Sequence, residues 1–469
     1  MLFNSITFLL FLPTVFVIYW VFGTKKVIFQ NGILLFSSLV FYASWDYRFL
    51  GLLTISILLD YFSGLKIAQI NDKKVKKVWL SLSIFFNLGF LALFKYYNFF
   101  ITSFTETLSK FGVESNFSIL KIILPIGISF YTFHGLSYVI DVYKNKIKPE
   151  KNLINYALFV SYFPLLVAGP IERATHLLPQ IKAKRIFCSQ KAAEGIKQIV
   201  WGFFKKVVVA DNCAFFVNQI FDNHQSFSAA ELWLGAILFS FQIYGDFSGY
   251  SDIAIGVSKL FGIDLITNFK FPYFADSLKT FWQRWHVSLT SWFRDYLYRP
   301  LGGSFGSSWN SIRNVFLVFL ISGFWHGAKF TFLIYGIIHF VLYELENYNN
   351  HKTENTYYRF IKILKTFLLV TISRIFFRAE TLTIGFDYFV HLFDFSFTSL
   401  HFFYKNSKFI LLSFISVFSI LLMLFLEYKN GIEENGVVKL SVHLTFAIII
   451  IIFFMGSFQK ELPFIYFQF

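Results

Sequence analysis

Apolar stretches of about 20 residues recur along the whole of this 469-residue chain. A helix crossing the roughly 30 Å hydrocarbon core of a bilayer needs about that many. It must also satisfy its backbone N–H and C=O groups within itself. The stretches fall at about 5–22, 29–44, 48–67, 78–97, 118–140, 153–170, 195–220, 229–259, 312–345, 360–378, 408–426 and 437–456, with a weaker one at 382–394 suited to the membrane interface. They predict an all-α, polytopic membrane protein of about eleven or twelve spans, some re-entrant or tilted. The period-2 alternation of an outer-membrane barrel is absent. Composition agrees, with 56% hydrophobic and 15% charged residues, against roughly 45–50% and 25% in soluble domains.

The net charge of +15 would point to nucleic acid in a soluble chain. Here the lysines gather in short loops at Lys25-Lys26, Asp72-Lys-Lys-Val-Lys-Lys77 and Lys144-Asn-Lys-Ile-Lys148. That is the positive-inside pattern, so no nucleic-acid partner is expected. The same pattern sets the N-terminus and the Trp45-Asp46-Tyr47 turn outside the cell. Ile6 to Phe22 lacks a basic leader and a small-residue cleavage site, so it reads as a first span and not as a cleaved signal. Cys188 and Cys213 give neither a disulfide framework nor a zinc pattern. With no long linker, residues 1–469 read as a single integral membrane domain, and the polar stretch Asn347 to Tyr357 as an ordinary loop. The lack of an internal repeat weighs against a transporter.

Three stretches depart from simple spans. Leu124-Pro-Ile-Gly-Ile-Ser-Phe-Tyr-Thr-Phe-His134-Gly carries Pro and Gly early in an apolar segment. Phe163-Pro-Leu-Leu-Val-Ala-Gly-Pro170-Ile-Glu172-Arg173 has two prolines and an ion-pair candidate. Tyr244-Gly-Asp246-Phe-Ser-Gly-Tyr-Ser-Asp252 sets two carboxylates in apolar surroundings. Broken helices and polar groups at membrane depth are tolerated where protein or a water-filled cavity satisfies them, so the breaks predict a funnel or tunnel. Asp60 and the Glu172–Arg173 pair read as structural, since buried charges in membranes are normally paired.

The densest mix of charge, tryptophan and glycine lies between two histidines. Residues 279–303 read Lys279-Thr-Phe-Trp-Gln-Arg284-Trp-His286-Val-Ser-Leu-Thr-Ser-Trp-Phe-Arg294-Asp295-Tyr-Leu-Tyr-Arg299-Pro300-Leu-Gly302-Gly303. Trp282, Trp285, Leu289, Trp292 and Phe293 share one helical face, with Arg284, Ser288, Ser291 and Asp295 opposite. Pro300-Leu-Gly-Gly then ends the helix. An aromatic and basic helix of this kind suits the membrane interface, where simple anchoring is the alternative role. His326, in Ser322-Gly-Phe-Trp-His326-Gly327, sits deeper in apolar sequence. Gly323 and Gly327 flank it and permit close approach of backbone or substrate. An ionisable group at such depth is a functional candidate by default.

Phe281-Trp-x-Arg-Trp-His286-x-Ser-Leu-x-x-Trp-Phe-Arg-Asp-Tyr-Leu-Tyr-x-Pro-Leu-Gly-Gly303, followed by Phe324-Trp-His326-Gly-Ala, closely resembles the membrane-bound O-acyltransferase (MBOAT) family. The resemblance is to the branch of the alginate O-acetyltransferase membrane subunit, and it extends to Leu124–Phe133, Ala168-Gly-Pro-Ile and Asp246-Phe-Ser-Gly-Tyr-Ser-Asp-Ile-Ala. It implies a ring of helices around a thin centre, with a cytoplasmic and an extracytoplasmic funnel meeting near a catalytic histidine. By that resemblance His326 is the catalytic histidine and His286 the second motif histidine, a position where asparagine is common elsewhere in the superfamily. Arg299 departs from the pattern, which has a smaller apolar residue before Pro-Leu-Gly-Gly.

A neutral imidazole can accept the proton of a hydroxyl as it attacks an acyl thioester. His326 is therefore expected as general base and His286 in a positioning or proton-relay role. The resemblance implies acetyl-CoA as acyl donor, a substrate and not a resident cofactor. Arg284, Arg294 and Arg299 are the candidate contacts to its phosphates, and no metal is expected. The chain ends Glu461-Leu-Pro-Phe464-Ile-Tyr466-Phe-Gln-Phe469. As an aromatic tail, 457–469 suits the interface. It also resembles the end of a small partner peptide in the family's D-alanylation systems, which implies Tyr466 as an acyl carrier, and counting twelve spans with the basic-loop rule sets the tail on the extracytoplasmic side. The expected partners are membrane lipid and an extracytoplasmic SGNH-type acetyltransferase or polysaccharide-modification complex, and the expected location is the cytoplasmic (inner) membrane. Peptidoglycan O-acetylation and teichoic-acid D-alanylation are alternatives within the same chemistry. A proton-coupled transporter using Asp246 and Asp252 is the alternative of another class.

Overall fold

The computed structural model describes residues 1–469 apart from position 24 and positions 114–116, 118, 121, 349–355, 395–405, 431–435, 459–463 and 466–469. The described residues form helices and no strand. The chain divides into two compact units, one of residues 1–193 with 257–265, the other of 194–256 with 266–469.

The first unit holds α1 (Ile6–Phe22), α2 (Val27–Asp46), α3 (Phe49–Gln69), α4 (Lys73–Leu91), α5 (Tyr97–Lys110), α6 (Ile128–Tyr143), α7 (Leu153–Ser161), α8 (Phe163–Leu166) and α9 (Ala174–Lys182). A π turn over Ala92–Tyr96 joins α4 to α5, so Lys73–Lys110 runs as one long apolar rod. α2, α3 and that rod are each long and apolar enough to cross a membrane, as is α19 of the second unit. Pro164 opens α8, and the chain leaves helix between Val167 and Arg173, as its prolines and glycine predict.

Several buried polar groups in this unit are held by neighbours. The buried carboxylate of Asp60 accepts from Ser83 Oγ at 2.6 Å and Asn87 Nδ2 at 2.8 Å. Arg185, 5% exposed, donates to Tyr19 Oη at 2.6 Å and Asn31 Oδ1 at 2.5 Å. Glu172 meets His176 Nδ1 at 2.8 Å, and its backbone N–H donates to His134 Nε2 at 3.2 Å. His176 is thus a structural partner of Glu172 that adjacency with Arg173 did not suggest.

The second unit is built on α10 (Ser189–Phe203), from Glu194 onward, with α11 (Asp211–Asp222) and α12 (Ala229–Leu260), up to Gly256. α12 has 32 residues, a length of roughly 48 Å at 1.5 Å per residue. It is unbroken across Tyr244–Asp252, which the glycines and carboxylates had marked as a break. Gly249 is instead a contact point. A Cβ there would lie 2.8 Å from the carbonyl oxygen of Gly202, and one on Gly202 would lie 2.6 Å from that of Gly249. Glycine lets α10 and α12 pack backbone to backbone, as small residues do between membrane helices.

A π turn over Phe204–Ala210 follows α10 and brings two successive lysines into the protein. Lys205 pairs with Asp252, and Lys206 bridges Asp246 at 2.7 Å and Asp211 at 2.8 Å. Both carboxylates proposed for proton coupling therefore have fixed cationic partners. The remaining helices are α13 (Leu278–Arg284), α14 (Val287–Phe293), α15 (Ser308–His326), α16 (Phe330–Tyr348), α17 (Thr356–Arg378), α18 (Leu382–His391), α19 (Ser407–Lys429) and α20 (Val442–Met455). The single apolar stretch expected at 312–345 is two helices. α15 and α16 form an antiparallel hairpin in which a Cβ on Gly323 would meet Phe332 O at 2.3 Å and one on Gly336 would meet Phe319 O at 2.5 Å. Counting apolar stretches therefore does not give the side on which the C-terminus emerges. Most of the expected loop at Asn347 to Tyr357 lies outside the described residues.

Candidate active site

The segment from Lys279 to Arg299 does not form the continuous amphipathic helix its periodicity predicts. α13 starts at the cap of Ser277, whose Oγ accepts from Thr280 N at 3.1 Å. It ends at Arg284. Trp285 is extended and His286 adopts a left-handed backbone, φ 45° and ψ 52°, before α14 begins. Such a conformation costs a non-glycine residue on the order of 1–2 kcal/mol. Offsetting bonds come from the strand-like segment before α13: Lys270 N–H donates to Arg284 O and Val287 N–H to Asn268 O, both at 2.9 Å. The backbone is thus tied on either side of the break. Ser288, on the polar face by periodicity, is fully buried because Asn268 Oδ1 accepts from its Oγ at 2.8 Å. Trp285, Leu289, Trp292 and Phe293 are buried as expected.

The break projects His286 into an aromatic enclosure. Its ring lies 4.7 Å from Phe247, edge-on, and 6.0 Å from Trp325. The Trp325 ring is in turn 5.0 Å from that of His326. His286 is 1% and His326 5% exposed. Burial holds the His286 pKa well below its ordinary value, and the neighbouring His326 adds to the effect. The imidazole is therefore neutral, the form that accepts a proton. His326 closes the C-terminal end of α15, against Phe377 at 5.2 Å and Tyr335 at 6.3 Å. The space beside its flanking glycines is taken by the chain itself: Phe332 O and Gly336 at Gly323, and the Phe332 ring at Gly327, 2.3 Å from a Cβ placed there.

Three further polar residues complete the enclosure. His339 on α16 has its Nε2 2.9 Å from Ser373 Oγ, whose own hydroxyl donates to Val370 O at 2.7 Å, and packs 4.9 Å from Trp282. Arg374 on α17, 1% exposed, lies with its guanidinium 4.4 Å over Trp285 and hydrogen-bonds the hydroxyl of Tyr273. Asn268 contacts His286 directly, its Oδ1 3.0 Å from Nδ1. His339 and Arg374 were legible as ionisable groups inside apolar helices. Asn268 has no such signal, since only the fold brings it to His286.

A cavity of about 270 Å³ opens between α13, α14, α15 and α16. Trp282, Leu289, Phe293 and Phe319 form much of its wall, with Ser322, Lys279 and Arg294 among the polar lining groups. Of the three arginines expected to contact the donor, only Arg294 is among the residues lining this cavity. Arg284 donates to Phe274 O at 3.3 Å. Arg299 pairs with Asp295 at 2.9 Å, which also holds Arg294 at 3.1 Å. Lys279 is the cation that the sequence reading passed over.

Tyr466 lies outside the described residues, but Phe464 and Ile465 are placed and buried. The Lys206 ammonium sits 4.6 Å from the Phe464 ring centroid. Asp246 Oδ2 accepts the Ile465 N–H at 2.7 Å.

Helices long enough to cross a bilayer, with imidazoles buried at His286 and His326, define an integral membrane protein. Residues 39–366 match the membrane-bound O-acyltransferase family. The chain is 40% identical over 388 residues to the "Probable alginate O-acetylase AlgI" of Pseudomonas putida, covering 82% of this chain and 79% of the relative. It is likewise 40% identical over 397 residues to that of Pseudomonas aeruginosa, 84% and 75% of the two chains. The peptidoglycan O-acetyltransferase of Helicobacter pylori is 38% identical over 414 residues, 81% and 78%. The chain belongs to the membrane-bound O-acyltransferase family, and it is an O-acyltransferase.

Proposed function

We propose that this protein takes an acetyl group from acetyl-CoA on the cytoplasmic side of the inner membrane and passes it outward for O-acetylation of an alginate-like exopolysaccharide. The observation that carries the reading is the buried pair His286 and His326, bridged by the Trp325 ring; the same unit holds a cavity with Lys279 and Arg294 in its lining. A hydroxyl oxygen attacks the thioester carbonyl carbon, and the C–S bond breaks. His326 takes the hydroxyl proton and returns it to the departing thiolate, with His286 positioning or relaying. Such base catalysis supplies about 10²–10⁴-fold, and the aromatic enclosure limits hydrolysis of the thioester. Lys279 and Arg294 meet the donor's phosphates, with Arg284 and Arg299 near the same segment. Tyr466, one residue beyond the docked Ile465, receives the acetyl group on the extracytoplasmic side and hands it to a separate SGNH-type transferase.

The Helicobacter relative supports a second reading, in which the acceptor polymer is peptidoglycan. Purified protein incubated with radiolabelled acetyl-CoA tests the chemistry: label should be released or transferred in a His326-dependent manner. A gene deletion tests the acceptor. Loss of acetate from exopolysaccharide supports the first reading, and loss from peptidoglycan alone moves the conclusion to the second. Retention on both polymers overturns the proposal.

A further inference from the structure

The two ends of the Asn268 amide are identified by their surroundings. One end lies 3.3 Å from the backbone N–H of Ser288, a group that can only donate, so the atom there is the oxygen. The other end donates to Ser251 Oγ at 3.2 Å. His286 Nδ1 lies 3.0 Å from that same Oδ1. An acceptor cannot face an acceptor, so Nδ1 carries a proton and donates it. Ser288 Oγ, 3.4 Å from Nδ1, does not compete, because its own hydroxyl donates to Oδ1 at 2.8 Å. A neutral imidazole has one protonated nitrogen, so the lone pair resides on Nε2.

We infer that Asn268 is a positioning residue for acyl transfer: its Oδ1 fixes His286 as the Nδ1–H tautomer, with Nε2 as the proton-accepting atom. Its main-chain oxygen, accepting from Val287 N–H at 2.9 Å, holds the left-handed turn that aims the ring. The inference rests on the acyl-transfer reading of the His286–His326 site. When Nε2 accepts, by relay, the proton that His326 takes from the attacking hydroxyl, the imidazolium keeps its Nδ1–H bond to the amide. The proton leaves again by Nε2 to His326, which returns it to the departing thiolate. Asn268 itself neither gains nor loses a proton, and its oxygen lies where the transient charge develops.

The test is the pH–rate profile of acetyl transfer from radiolabelled acetyl-CoA by the purified full-length protein. Asn268→Leu should lower kcat by about tenfold or more, with KM for acetyl-CoA within about twofold, because the amide touches no part of the donor cavity. Asn268→Asp sets a carboxylate against Nδ1–H and favours the imidazolium, so the acidic limb of the profile should move up by about one pH unit or more. A role confined to packing would not move that limb. An Asn268→Asp profile superimposable on the wild type overturns the inference, as does an unchanged kcat in Asn268→Leu. Should Asn268→Leu not fold, the limb shift of Asn268→Asp decides alone. His286→Ala and His326→Ala run alongside: full activity in both rejects the site reading and the inference with it. Loss in both with unaltered Asn268 variants rejects the positioning role alone.

Discussion

Asp246 accepts the backbone N–H of Ile465 through Oδ2, at 2.7 Å, while its Oδ1 takes the Lys206 ammonium, also at 2.7 Å. One carboxylate thus joins the middle of α12 to the last described residues of the chain. Asp246→Ala removes the tail's anchor and leaves the buried Lys206 with Asp211 as its remaining carboxylate. Breaking a buried pair costs about 3–5 kcal/mol. The variant should melt markedly lower in detergent and lose its C-terminal end faster to carboxypeptidase. Asp246→Asn, which keeps an acceptor for Ile465, should hold the tail better than Ala. Equal digestion of wild type and Asp246→Ala would refute the anchoring role.

If the docked tail presents an acyl carrier, Tyr466→Phe deletes the accepting oxygen and little else. Cells carrying it should make the protein at normal levels and leave the polymer unacetylated. Full acetylation in those cells would end the relay idea without touching the assignment of His326.

His326→Ala should leave a protein that inserts and elutes as the wild type does, since Phe377, Tyr335 and Trp325 still pack around the position. Transfer from acetyl-CoA should fall by about 10²-fold or more. Unchanged acetylation would remove His326 from the base role.

Gly323→Leu tests the α15–α16 hairpin that carries His326. Its Cβ would stand 2.3 Å from Phe332 O, so the helices must separate. Overpacking of this kind costs about 1–3 kcal/mol, and the thermal midpoint and activity should drop together. Gly89→Ala is the control, because nothing lies within 4 Å of a Cβ there. Matching midpoints for Gly323→Leu and wild type would contradict the close approach.

The His176–Glu172 pair gives a pH dependence of known sign. Its hydrogen bond to Glu172 raises the His176 pKa above the ordinary value, so the folded protein binds this proton more tightly than the unfolded chain. The stabilisation is complete below about pH 6.5, the unfolded pKa, and is lost as pH rises through the folded value. The difference in thermal midpoint between wild type and His176→Gln should be largest near pH 6 and shrink towards pH 9. A difference that grows with pH would be the wrong sign.

The membrane-protein class, the paired histidines and the break at Pro164 were legible because each leaves a local mark: apolar runs, ionisable groups within them, and a residue that cannot continue a helix. The split of 312–345 was not, since its short turn is bounded on both sides by apolar helices that periodicity cannot separate. Gly245 and Gly249 read as breaks because sequence alone does not distinguish a glycine that ends a helix from one that admits a neighbour. Ser288 went to the wrong face because Asn268, the partner that draws it inward, is set there by the fold.

The left-handed backbone at His286 also acts as a filter on which residues that position can hold. Glycine enters this conformation freely, asparagine, aspartate and histidine more readily than other residues, and β-branched side chains rarely. The family resemblance puts asparagine at this place elsewhere in the superfamily, and the torsion angles supply a reason independent of chemistry. His286→Asn is therefore the exchange that separates the two demands on the position: the turn persists while the titratable ring is gone.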